Sequence, residues 1–218
     1  DRIVTVRRTR KKIRIIGAGT ATIAVAQAGD SNHLPAAPVQ KTIVVNKAPA
    51  AVTLSGLAYT YDGKPKPATS TTTPGGLTVK ITYDGKDKAP VNAGSYTVVA
   101  TVQDANYEGS ATATMTIAKA PQTITFNALA AKTFGDKPFG IVSTLSSGLA
   151  AAYESSNPKV AAISGDEITI VGAGTAAITA VQAGDNNYLP AQPVQQALTV
   201  NKAPAKVTLG SLKQTYDG

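Results

Sequence analysis

The sequence has no cysteine and no tryptophan, one methionine and one histidine, and only 5% aromatic residues. Without cysteine, disulfide staples, zinc–thiolate clusters and thiol nucleophiles are excluded together. Stability must then come from burial, and the apolar residues at hand are mostly Ala, Val, Ile and Leu, which suit thin cores. The missing cysteine does not fix a compartment, since it suits the reducing cytosol and equally surface proteins that never use disulfides. No uninterrupted apolar run approaches the roughly 18 residues of a membrane-crossing helix, so no membrane insertion is expected. The first residues lack the apolar centre of a secretory signal. An export signal is therefore expected outside this segment, in a longer parent protein. Acidic residues are scarce as well, 13 against 21 bases, and no nucleophile with a base, nor a pair of carboxylates, stands out as a hydrolytic cluster.

The net charge of +8 is unevenly placed. Residues 1–14 hold Arg2, Arg7, Arg8, Arg10, Lys11, Lys12 and Arg14 against Asp1, a local excess of +6, which leaves +2 for the other 204 residues. A cluster of this kind can follow phosphates, heparin-like glycans or lipopolysaccharide. A solvated strand and turn is the favoured reading, and nucleic acid is not the expected partner.

What the sequence does contain is a long internal repeat. Residues 16–63 align without a gap to 171–218, with 31 of 48 positions identical. The shared blocks include Gly-Ala-Gly-Thr-Ala from Gly17 and Gly172, Gln-Ala-Gly-Asp from Gln27 and Gln182, and Tyr-Asp-Gly ending at Gly63 and Gly218. Lys-Ala-Pro occurs at Lys47, Lys119 and Lys202, so the 155-residue period divides into steps of 72 and 83 residues. Proline cannot donate to a ladder and biases its predecessor toward extended geometry, which marks each Lys-Ala-Pro as a linker at a strand end. The expected modules are 1–46, the latter part of one type; 47–118, complete; 119–202, complete; and 203–218, the opening of the next. By alignment the first module lacks a counterpart of residues 119–155 and should present an unfinished sheet.

Within the modules, short runs rich in Val, Ile, Thr and Tyr are separated by Gly, Pro, Asn or Asp, with no sustained helical period. The expected fold class is all-β, as tandem immunoglobulin-like β-sandwich modules. Predicted strands cover 51–57, 77–83, 95–103, 110–118, 123–129, 167–171, 175–182 and 195–200. Along Ser95–Gln103, Tyr96, Val98, Ala100 and Val102 should face the core, because a slip of one residue would bury Thr97, Thr101 and Gln103 instead. Asn92-Ala93-Gly94-Ser95-Tyr96-Thr97-Val98 has the outline of an immunoglobulin tyrosine corner, with Asn for Asp and Val for Cys.

These residues resemble known families. The 72-residue unit, with AYTYDGKPKP, ITYDGKDKAPVNAGSYTVVATV and TMTIAKA, resembles the MBG or YDG-type repeat of bacterial surface proteins. The 83-residue unit, with SSNPKVAAISGDEITIVGAGTAAITAVQAGDNNYLPA, is similar to the bacterial immunoglobulin-like repeats of intimin-type adhesins. The resemblance implies an exported, multi-domain protein at the cell surface or outside the cell, whose modules hold a tip away from the cell and sometimes make adhesive contacts. It implies no catalytic residues. The run Arg7–Arg14 departs from its counterpart 162–169, which contains Asp166 and Glu167, and leaves open whether residues 1–14 pair as strands.

Several motifs have a binding reading and a structural one. Tyr61-Asp62-Gly63, Tyr83-Asp84-Gly85 and Tyr216-Asp217-Gly218 supply an acceptor and a permissive glycine, as tight turns require. Their competing reading is a ligand site built from Tyr61, Asp62, Tyr83 and Asp84, with Tyr107 as a further contact. The loops from Asp30, Asp104 and Asp185 each offer oxygens that calcium could use, but calcium takes about 6–8 ligands and each loop has one carboxylate, so Asx-turns are favoured. No cofactor is expected. His33 aligns with Tyr188, which argues against a metal or catalytic role, and the Gly-Ala-Gly blocks precede strands instead of the helix a dinucleotide loop needs. The segment at Thr69–Thr73 reads as flexible or as a sheet edge. The favoured function is a structural or adhesive stalk, its partners being neighbouring modules and a host or matrix glycan or protein. A carbohydrate-binding module of a secreted enzyme is the alternative, weakened by the absence of tryptophan, and an enzyme comes last.

Overall fold

The computed structural model describes residues 4–7, 12–210 and 213–218. It is all-β, with no helix among the described residues. The chain divides into two compact units, Asp1–Ala118 and Lys119–Gly218.

The first unit opens with two hairpins. Strand β1 (Val4–Arg7) pairs antiparallel with β2 (Lys12–Ile15), so this basic stretch does form strands. Strand β3 (Gly19–Gln27) pairs antiparallel with β4 (Ala36–Val45), with a register shift between Val25 and Gln27. On the hairpin face that alternation would bury, Ala21, Ile23, Ile43 and Val45 are only half-buried.

From Lys47 onward the unit has two layers. Its remaining strands are β5 (Ala48–Pro49), β6 (Ala51–Ser55), β7 (Ala58–Thr60), β8 (Thr69–Thr73), β9 (Val79–Tyr83), β10 (Gly94–Val102), β11 (Tyr107–Glu108) and β12 (Ser110–Ala118). One layer runs β7-β12-β10-β9; the other is the β6–β8 pair, which packs on β12 and β10. The Thr69–Thr73 segment is thus an ordered strand. Period-two patterning sets the core: Val98, Ala100 and Val102 are buried and Tyr96 half-buried, while Thr97 and Thr101 point outward. Met115 and Ile117 of β12 join Val98, Ala68 and Tyr83 in one buried cluster. Each such side chain removed from water contributes about 1.5–3 kcal/mol before entropy is counted. The corner forms as expected, the Tyr96 hydroxyl donating to the Asn92 carbonyl at 2.8 Å.

The second unit has β13 (Ile124–Phe126), β14 (Lys132–Thr133), β15 (Phe139–Gly140), β16 (Ser143–Leu145), β17 (Ala152–Ser155), β18 (Ala161–Ser164), β19 (Glu167–Ile170), β20 (Gly174–Val181) and β21 (Val194–Asn201). A β14-β21-β20-β17 sheet is covered by β13, which pairs with β16, and a third sheet runs β15-β19-β18. Ile124, Phe126, Ile141, Ile168, Ile178 and Leu198 are buried together. The expected strand at 123–129 is shorter, 124–126, because its partner β16 supplies only three residues. That at 51–57 stops at Ser55, where Gly56 turns with φ +68.

Residues 47–118 and 119–201 begin and end in the same way. In the first, β5 lies parallel to β11 and β7 parallel to the last strand β12, Thr60 beside Ala118. In the second, Ala120 bridges Tyr188 in parallel and β14 lies parallel to the end of β21. The chain therefore comes in beside the start of the last strand and leaves at that strand's far end. At about 3.3 Å per residue those two points are roughly 30 Å apart in the first module and about 26 Å in the second.

Candidate functional site

Of the three tyrosines proposed as ligand contacts, Tyr61 and Tyr83 are packed on the module's core. Tyr83 is buried, and its hydroxyl accepts the Ala68 N–H at 2.8 Å. Tyr59, Tyr61 and Tyr96 pack half-buried on the same cluster, with the Tyr59 hydroxyl donating to the Pro67 carbonyl at 2.9 Å. Few large aliphatic side chains are present in this module, and tyrosine rings supply the missing volume while the Tyr59, Tyr83 and Tyr96 hydroxyls each reach a backbone partner.

The Tyr-Asp-Gly aspartates hold turns. Asp84 and Gly85 both take positive φ, +48 and +77, and Tyr83 and Lys86 exchange both backbone hydrogen bonds around them. This is the two-residue hairpin that a right-handed strand twist favours. The Asp84 carboxylate also accepts the Thr97 N–H at 2.8 Å. Asp62 accepts the Lys64 N–H at 2.9 Å and stands 2.6 Å from the Lys66 ammonium. The hydrogen bond from Lys66, then that from the Lys64 N–H, hold the Asp62 carboxyl below the usual carboxylate range. Lys66 also lies 5.5 Å from the Tyr59 ring centre.

A hollow of about 320 Å³ lies at the Tyr83-Asp84 turn, lined in part by Lys86, Lys88, Asn92 and Tyr96. A second, of about 450 Å³, lies between the first hairpins and the following module, lined in part by Arg14, Gly17, Ala18, Asn106 and Tyr107. Here the Asn106 side chain accepts the Ala18 N–H at 2.8 Å. Tyr107 thus sits where the chain enters the module, whereas Tyr61 and the Tyr83 turn sit toward the end where it leaves. The structure does not bring the five into one platform. Arg7 and Lys12 are paired across β1 and β2, Arg8, Arg10 and Lys11 lie outside the described residues, and Tyr216 is exposed.

The three Asp loops share one geometry. Asp104 accepts the N–H groups of Asn106 and Tyr107, Asp185 those of Asn187 and Tyr188, and Asp30 those of Asn32 and His33, at 2.7–3.0 Å. His33 Nδ1 adds a contact to Asp30 at 2.8 Å, and the Asn32 N–H and the His33 ring both hold the Asp30 carboxyl low. One carboxylate oxygen in each loop is thereby engaged. No group of three or more His, Cys, Asp or Glu residues that could hold a metal occurs among the described residues.

Sequence reasoning missed what these loops receive. The Lys47 ammonium donates to the Asp104 carbonyl at 2.6 Å, and the Lys119 ammonium to that of Asp185 at 2.5 Å. Beside them the Ala48 N–H bonds the Asn106 carbonyl and the Ala120 N–H that of Asn187. At Lys47 and at Lys119 the Lys-Ala-Pro segment is thus docked on the following Asp loop. The signal lay in the sequence, since each complete Lys-Ala-Pro module also holds one Asp-x-Asn-Tyr, 57 residues on in one case and 66 in the other.

Residues 50–121 match the family model of the MBG domain. No curated protein sequence matches the chain. Among solved structures it is similar to surface layer protein SbsC, domains 1–6, at 17% identity and a TM-score of 0.29, over 94% of this chain and 35% of that one. It is similar also to BT4661, a SusE-like surface-located polysaccharide-binding protein from the Bacteroides thetaiotaomicron heparin utilisation locus, at 16% identity and a TM-score of 0.26, over 92% of this chain and 41% of that one. The chain spans well under half the length of these structures.

Proposed function

We propose that the chain is a stalk segment of a large bacterial surface or secreted protein, in which MBG-type modules (47–118, and 203 onward) alternate with immunoglobulin-like ones (1–46 and 119–202), and that its role is structural or adhesive and not catalytic. The observation that carries this reading is the passage of the chain through each complete module, in at one end of the last strand and out at the other. Modules built so extend a chain when joined in series. Tension between their ends loads the parallel β5–β11 and β7–β12 pairings along the strands. The MBG match over 50–121 supports the module type. The inward tyrosines weigh against a carbohydrate platform.

Pulling single molecules by their ends tests the mechanics. Allowing at most about 3.6 Å per extended residue, the 72-residue module should release roughly 23 nm and the 83-residue module about 27 nm, as separate events. One event of about 50 nm would refute the modular reading. Antibodies to residues 119–202 should label intact producing cells or their medium; labelling only after lysis would remove the surface assignment.

A further inference from the structure

The duplication lets one copy of a structure show what the other copy's surface receives. We propose that the open face and edges of the β3–β4 hairpin are an acceptor for a polypeptide segment of the sequence type of residues 119–155. In the second unit the corresponding hairpin is β20–β21, and it is enclosed. Strand β14 flanks β21, β17 flanks β20, and β13 covers the face with Ile124 and Phe126. All three covering elements come from 119–155. Phe139 of the same segment pairs with Ile168, whose counterpart is Ile13.

In the first unit the equivalent positions stand open. Ile13 is 46% exposed where Ile168 is fully buried, and Val25 is 66% exposed where Ala180 is fully buried. Ala21, Ile23, Ile43 and Val45 are half-buried where Ala176, Ile178, Leu198 and Val200 are at most 3% exposed. Among the described residues β3 and β4 pair only with each other, so both outer edges keep unpaired ladder groups. The chemistry required of the occupant follows: two edge strands running in the same sense, one parallel to β4 and one antiparallel to β3, and over the face between them a short strand presenting alternate Ile and Phe. A flat apolar surface of another protein would cover the face and leave the edges unmet. Val25 in place of Ala180 adds bulk at one core position, so the natural occupant carries a smaller contact there than 119–155 does.

This inference rests on the duplication, and its failure would leave the pulling events of the two complete modules unchanged. The offset of 155 means that residues 119–155, joined directly ahead of Asp1 in the full chain, restore the continuous register of the complete module. In that fusion, hydrogen exchange at the β3 and β4 amides should slow by at least about a hundredfold, and a third cooperative unfolding transition should appear. Changing the added copies of Ile124 and Phe126 to Asp should abolish both effects. A peptide of residues 119–155 added to the unmodified chain gives the second measurement, protection of the same amides in trans. Unchanged exchange in both experiments would overturn the proposal. So would a concentration-dependent dimer of the unmodified chain that already protects β3 and β4, since the occupant would then be a second copy.

Discussion

Ile23 and Ile178 are the same residue at the same place in the repeat, and the structure assigns them different energies. Ile178 is fully buried in the β13-covered core. Truncation to Ala there removes apolar contacts and leaves a cavity that rigid strands cannot close, a loss of about 2–5 kcal/mol. Ile23 is half-buried beneath no covering layer, so Ile23→Ala loses only part of a transfer free energy, about 1 kcal/mol, with water filling the space. For a module of this size about 4–8 °C of melting temperature corresponds to 1 kcal/mol. Ile178→Ala should therefore lower one calorimetric transition by roughly 8–40 °C and leave the transition of residues 47–118 in place. Ile23→Ala should move neither by more than a few degrees. Equal losses from the two substitutions, or displacement of both transitions by Ile178→Ala alone, would refute both the separate cores and the open hairpin face.

Other outcomes follow from single contacts. Tyr83→Phe strands the buried Ala68 N–H without its acceptor and should cost about 1–3 kcal/mol in urea unfolding; a cost near zero would mean that the amide finds another partner. Gly109→Ala would place a Cβ 2.1 Å from the Ala50 carbonyl oxygen, so it should detach β5 from β11 and raise exchange at Ala48 and Ala50 before the rest of the module loosens. Asp62 is held below its unfolded value by Lys66 and the Lys64 N–H. Its contribution to stability is present above about pH 4, the unfolded value, and is lost as pH falls through the lower folded one. Asp62→Asn should flatten the acid side of a plot of urea midpoint against pH, and an unaltered slope would remove that assignment.

The strands legible in the sequence were those whose own alternation and turn residues agree with their neighbours. β12 fills the expected 110–118, and β10 turns the expected side chains inward, because both lie mid-sheet with partners on each side. Pairing decides the rest. Residues 202–218 repeat 47–63, yet the described part beyond Asn201 holds no strand. β5, β6 and β7 exist through β11, β8 and β12, and sequence alone does not replace those partners. The candidate contacts were less legible than the fold. Tyrosine beside Asp and Gly has the same pattern in a binding loop and in a hairpin, and only the position of Ala68 shows that the Tyr83 hydroxyl is spent inside.

Because Lys47 and Lys119 fasten onto loops of their own modules, every bond that secures an opening segment is carried within one stretch of gene between successive Lys-Ala-Pro marks. Such a stretch can be copied, deleted or exchanged by recombination at those marks without redesigning what stays behind. A change in the number of such stretches would lengthen or shorten the chain by a whole stretch at a time.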